Sequence, residues 1–193
     1  MLKKLLLTLV PLVLLSIVAL VLYNPIERAR EARDDQRLAD LRLLKTSLDY
    51  YISQNANIGA NLCAGCQLGK DVFVYHRALL PAGNLRITQS RFVNGQGWVP
   101  VDFSLNAPLF STPLALLPVD PLEKTRSVRQ SLPILNGFYP KDKENFVYTF
   151  TPGANGKYKL TAKMESKKGL QKAANDGGDL ADRYEVGDLS LVP

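Results

Sequence analysis

The sequence predicts an α+β protein: a long N-terminal helix, half membrane span and half amphipathic, packed on a small C-terminal antiparallel β-sheet. Three observations predict it. Residues 5–23 carry no charge. Residues 26–52 repeat apolar side chains every three or four positions, and residues 145–191 hold alternating stretches separated by turn residues. One long helix followed by neighbouring strands is the α+β arrangement.

The first element follows Met1-Leu2-Lys3-Lys4, and its only non-apolar members are Thr8, Pro11 and Ser16. As a helix, residues 5–23 would cover ~28 Å, close to the ~30 Å hydrocarbon core of a bilayer. Two lysines precede it and no cation follows before Arg28. That asymmetry predicts a single-pass membrane protein with a cytoplasmic N-terminus and an extracytoplasmic C-terminal head. A cleavable signal peptide is the rival. Its apolar region would span ~7–15 residues and end in small residues, whereas this run is longer and Ile17 stands two positions before Ala19. Pro11 is tolerated in a membrane helix, where neighbouring groups take up the freed carbonyl. Residues 1–24 thus form the first unit. With 46% hydrophobic residues and a mean hydropathy of −0.05, the whole chain is neither a polytopic transporter nor a low-complexity tail.

The second unit, residues 25–55, is an amphipathic stalk. Pro25 suits a first helical turn and Asn24 a cap. Ile26, Ala29, Ala32, Leu38, Leu41, Leu44, Leu48, Tyr51 and Ile52 form its apolar stripe. The C-terminal domain is expected to pack on Leu38, Leu41, Leu44, Leu48, Tyr51 and Ile52. The opposite face mixes Glu27, Arg28, Arg30, Glu31, Arg33, Asp34, Asp35, Arg37, Asp40, Arg42, Lys45 and Asp49 with no net charge. Pairs such as Arg30 with Asp34 can interact along the helix. Two readings stand for this face: solvation, or self-association with neighbouring copies. Joined to the membrane span, the stalk predicts ~50 residues of nearly continuous helix, about 75 Å long.

The third unit, residues 56–193, is the exported globular head. Residues 56–140 form a loop-rich region with short apolar runs at 72–75 and 98–103, broken by Pro108, Pro113, Pro118, Pro121, Pro133 and Pro140. Residues 141–193 carry the sheet. Strands are expected at 145–151 and 157–164 around Gly153-Ala154-Asn155-Gly156, and a third at 183–191 after a loop over 165–182. The head lacks long basic runs or interleaved basic and aromatic residues, so no nucleic-acid partner is expected.

In this order of parts the chain resembles the type IV pilin-like proteins, including the major pseudopilin of type II secretion. The resemblance lies most in ARDDQRLADLRLLKTSLDYYISQN, residues 32–55. It continues in the C-terminal LTAKMESKKGLQKAANDGGDLADRYEVGDLSLV, with its NDGG loop and YEVG strand. It implies a structural, non-enzymatic subunit or accessory component of a type IV pilus or type II secretion-like system, partnered by other pilin-like subunits at the cell envelope. The family is processed after a glycine and carries a glutamate at the fifth mature position. Here no glycine precedes Gly59 and residues 5–23 contain no glutamate, so the usual prepilin peptidase site is missing.

Little in the chain suggests chemistry. Cys63-Ala64-Gly65-Cys66 is followed by Gln67 rather than the histidine of a haem attachment, and a zinc site would need two more ligands, with His76 the only histidine. A redox pair would open a helix after a strand. In an exported domain a local disulfide between Cys63 and Cys66 is expected; free thiols remain the other reading. Asp176, Asp179 and Asp182, in and beside Asn175-Asp176-Gly177-Gly178-Asp179, form an oxygen-rich loop. It reads either as a plain turn or as a calcium site, which the resemblance also implies. Trp98 is read as a core or loop anchor. Two other functional classes therefore stand beside the structural subunit: a membrane-tethered extracytoplasmic binding module that forms no filament, and an anchored thiol oxidoreductase using Cys63 and Cys66.

Overall fold

The computed structural model describes residues 9–16, 23–55, 62–76, 84–104, 114–124 and 146–188. Its main helix, α1, runs from Pro25 to Gln54. Pro25 occupies the first turn, where a missing N–H costs nothing, and the Asn24 side chain accepts from Glu27 N at 3.2 Å. Asn24 itself is left-handed, with φ 41° and ψ 70°. The expectation of helix continuing through this point is therefore corrected: α1 begins afresh at Pro25. A proline has no N–H to donate to the carbonyl of the preceding turn, and asparagine tolerates the left-handed turn that results. At the other end Asn55 N donates to Tyr51 O and Ile52 O, and Asn55 Nδ2 donates to Tyr51 O.

Residues 9–16 are helical, and their leucines and valines are exposed. Among the described residues no helix is long and apolar enough to cross a membrane. The expected span at 5–23 falls largely outside the described residues.

The sheet has five strands in the order β2-β1-β3-β4-β5. These are β1 (Val72–Tyr75), β2 (Leu85–Thr88), β3 (Tyr148–Pro152), β4 (Tyr158–Lys163) and β5 (Arg183–Gly187). The last three form the antiparallel meander, with Phe150 opposite Leu160 and Thr161 opposite Glu185. A 3₁₀ turn at Ala154–Gly156 joins β3 to β4, with Asn155 left-handed at φ 57°. Purely antiparallel the sheet is not. β1 pairs antiparallel with β3, and β2 then pairs parallel with β1, Val72 opposite Leu85. Four-residue strands put only two side chains on each face, too few to show alternation, which is why this pair reads as loop in the sequence.

Among the described residues two short helices follow α1 in the chain. Helix α2 covers Pro121–Lys124. Helix α3, Lys167–Ala173, lies within the stretch read as a loop and is capped by Ser166, whose hydroxyl accepts from Gly169 N.

The core sits between α1 and one face of the sheet. Leu41, Leu44 and Leu48 are fully buried and Leu38 nearly so; they pack with Tyr148, Phe150, Tyr158, Leu160 and Ala162, and Tyr51 and Ile52 lie against the margin. Loop residues Trp98, Val99, Val101, Leu114 and Leu117 close the cluster. Trp98 is wholly buried, and its indole N–H donates to Pro118 O at 2.9 Å.

Candidate functional site

The stripe of α1 changes chemistry along its length. From Leu38 onward it is aliphatic, but one turn earlier the same face presents Asp34 and Arg37. Arg37 has no exposed surface and is surrounded by carboxylates. Its Nε and Nη2 donate to the two oxygens of Asp120 at 2.7 and 3.1 Å, and Nη1 donates to Asp34 at 2.7 Å. Nη1 also lies 2.6 Å from Glu165 Oε1, and the guanidinium rests 5.0 Å from the Phe146 ring centre. Arg33 completes a fork to Glu165 at 2.8 and 2.6 Å. Burial alone would weaken the charge on Arg37. The hydrogen bonds and charge of Asp120, with Glu165 and Asp34, outweigh it and raise its pKa.

Asp34 does a second task. Its oxygens accept from Glu165 N, Ser166 N and Ser166 Oγ at 2.7–3.2 Å, so it holds the start of α3 against α1. Gly169 makes room for it: a Cβ there would stand 2.1 Å from Asp34 Oδ2. Farther along, Asp40 accepts from the Tyr148 hydroxyl at 2.7 Å and Asp49 from the Tyr158 hydroxyl at 2.6 Å. Burial and the nearby carboxylate push both phenols up from their ordinary value, so they remain donors.

The charged face of α1 is thus only partly solvated. Asp34, Arg37 and Asp40 are buried against the head, whereas Arg28, Asp35, Arg42, Lys45 and Asp49 are exposed. Their signal in the sequence was position: Asp34 and Arg37 occupy the face that Leu38 and Leu41 continue. Nothing local marked Asp120 or Glu165 as partners, because Asp120 lies 83 positions from Arg37 and Glu165 132 from Arg33.

Residues 9–16 present a contrasting surface. Leu9, Leu12, Leu14 and Leu15 are 56–71% exposed, with Val10 and Val13 near half.

The other two features stand apart from this interface. Cys63 and Cys66 form a disulfide. The surrounding loop is pinned to the sheet, since Gly69 N donates to Pro152 O and Asp71 accepts from Gln67 N and pairs with Arg86. In the acidic loop the three aspartates do not converge. Asp176 accepts from Gly178 N and Glu185 N, Asp179 pairs with Lys159 Nζ at 2.7 Å, and Asp182 lies 3.5 Å from Lys163 Nζ. Calcium requires six to eight oxygens around one point. This donor set does not fit it, and among the described residues no group of three or more metal-ligating side chains is assembled. No protein-family model, curated protein or solved structure matches this chain.

Proposed function

We propose that this chain is a membrane-anchored, pilin-like structural subunit or accessory component of a type IV pilus-like or type II secretion-like system. Its N-terminal helix packs laterally in the membrane and against neighbouring subunits, and its head is displayed outside. The observation that supports this most is the pairing of two unlike surfaces on one chain. Residues 34–48 of α1 are locked into the head by buried ion pairs and leucines, while residues 9–16 leave an apolar helix surface uncovered. A head locked onto one helix, with an apolar helix surface left uncovered, suits assembly better than turnover of a substrate.

Replacing Leu12 and Leu15 with aspartate in the full-length chain tests the reading. The expected result is loss of membrane retention and of cross-linked oligomers, with the head's melting temperature unchanged. Retained function after exchange of residues 1–24 for an unrelated single span, with no oligomers in either protein, would replace it with a tethered head that forms no filament.

A further inference from the structure

Helix α3 begins beside the first turn of α1. Lys167 N donates to Glu27 Oε1 at 2.6 Å, and Ser166 Oγ donates to Asp34 two turns farther along α1. Glu27 stands four residues beyond Tyr23, where the uncharged run of residues 5–23 ends. Even a fully extended chain covers only ~14 Å in four residues. The headgroup layer of a bilayer adds ~5–8 Å on each side of its hydrocarbon core. The start of α3 is therefore tied close to the end of the apolar run, whatever angle Asn24 sets between that run and α1.

The side chains presented there suit an anionic surface. Lys167, Lys168, Leu170 and Gln171 are all exposed. The nearest acidic groups on α1 already face other cations: Glu27 faces Arg30, Glu31 faces Arg28 and Asp35 faces Lys172, at 3.4–3.5 Å. Lys168 borders Glu31 and Asp35 in the cleft between α1 and α3. Among the described residues, however, no carboxylate pairs with it or with Lys167. We propose that Lys167, Lys168 and Leu170 dock on anionic phospholipid headgroups beside the span and hold the head down on the bilayer. Lysine stems lie along an interface while their ammonium groups meet phosphate. A tethered head needs only weak attraction, because its effective concentration at the surface is high. The docking rests on the membrane-anchored reading above and adds the class of lipid that the head meets.

The test reconstitutes the full-length chain, carrying a fluorophore at Gln171→Cys, into two kinds of vesicle. One is neutral phosphatidylcholine and the other contains about 30 mol % phosphatidylglycerol; both include a lipid with a nitroxide quencher on its headgroup. Quenching should be about twofold greater in the anionic vesicles, and about 0.5 M NaCl should remove the difference. Lys167→Gln combined with Lys168→Gln should remove it too, with Trp98 emission unchanged. Equal quenching in both vesicles, or a difference that survives salt or the double substitution, overturns the docking. Flotation separates this from the anchor. A chain that floats with neutral vesicles but is quenched equally in both keeps its anchor and loses the docking. One that floats only with anionic vesicles, and no longer does so after the double substitution, keeps the docking and loses the anchor. Flotation with neither rejects both.

Discussion

Arg37 on α1 and Asp120, just before α2, meet as a two-pronged ion pair with neither side chain exposed to solvent. Pairs of this kind contribute little net stability when formed, because desolvation offsets the attraction, but breaking one strands a buried charge. Arg37→Met would take the cation from buried Asp120 and one partner each from Asp34 and Glu165, which keep the Ser166 donors and Arg33. The expected loss is about 3–5 kcal/mol, measured by chemical denaturation through the single tryptophan, Trp98. Arg37→Met combined with Asp120→Asn should lose less than the sum of the two single changes; simple additivity would show that the pair is not coupled.

Gly169 is the point where α3 passes over Asp34. Gly169→Ala should cost about 1–3 kcal/mol, because the methyl meets a carboxylate already committed to the Glu165 and Ser166 donors. In an exposed helix the same change would be stabilising. An increase in stability would mean that α3 lifts off freely and that Asp34 is not its anchor.

Leu44 and Leu43 separate the two faces of α1 by one residue. Leu44 is fully buried and Leu43 is 39% exposed. Leu44→Ala should therefore cost about 2–5 kcal/mol, and Leu43→Ala less than about 0.5 kcal/mol in the isolated chain. Equal effects in urea titration would place the helix in a different rotational setting on the head.

Acid should loosen the lock through Glu165. Burial would raise its pKa, yet the hydrogen bond from Arg33 and the charges of Arg37 and Arg33 hold it below its ordinary 4.5. With the folded value below the unfolded one, the unfolded chain takes up the proton first as pH falls. The contribution is complete above about 4.5 and is lost as pH drops toward the depressed folded value. Stability measured across that acid range should decline, and Glu165→Gln should flatten the decline while lowering the plateau. An unchanged slope in the variant would remove Glu165 from the account.

Much of the architecture was legible because it is written in short periods. The leucine stripe of α1, the Gly153–Gly156 turn and the alternation of β3 and β4 depend on neighbours two to four positions apart. β1 and β2 escaped because each has four residues and because parallel pairing leaves no local turn between partners. The cysteine pair showed itself by spacing. The interface behind α1 showed only in the position of Asp34 and Arg37 and not in their partners, since a charged residue on a helix reads the same whether it faces water or a buried carboxylate from another element.

By itself, therefore, the sequence determined the apolar N-terminal run, the amphipathic helix beginning at Pro25, the antiparallel meander and the small loop closed by Cys63 and Cys66. Tertiary structure alone decided that β1 and β2 extend the sheet, and that Arg37 and Lys159 are interior cations. The physical reason is range. Helix and strand patterns arise from backbone geometry over a few residues, whereas the burial of a charge is settled by partners 83 or 132 positions away along the chain.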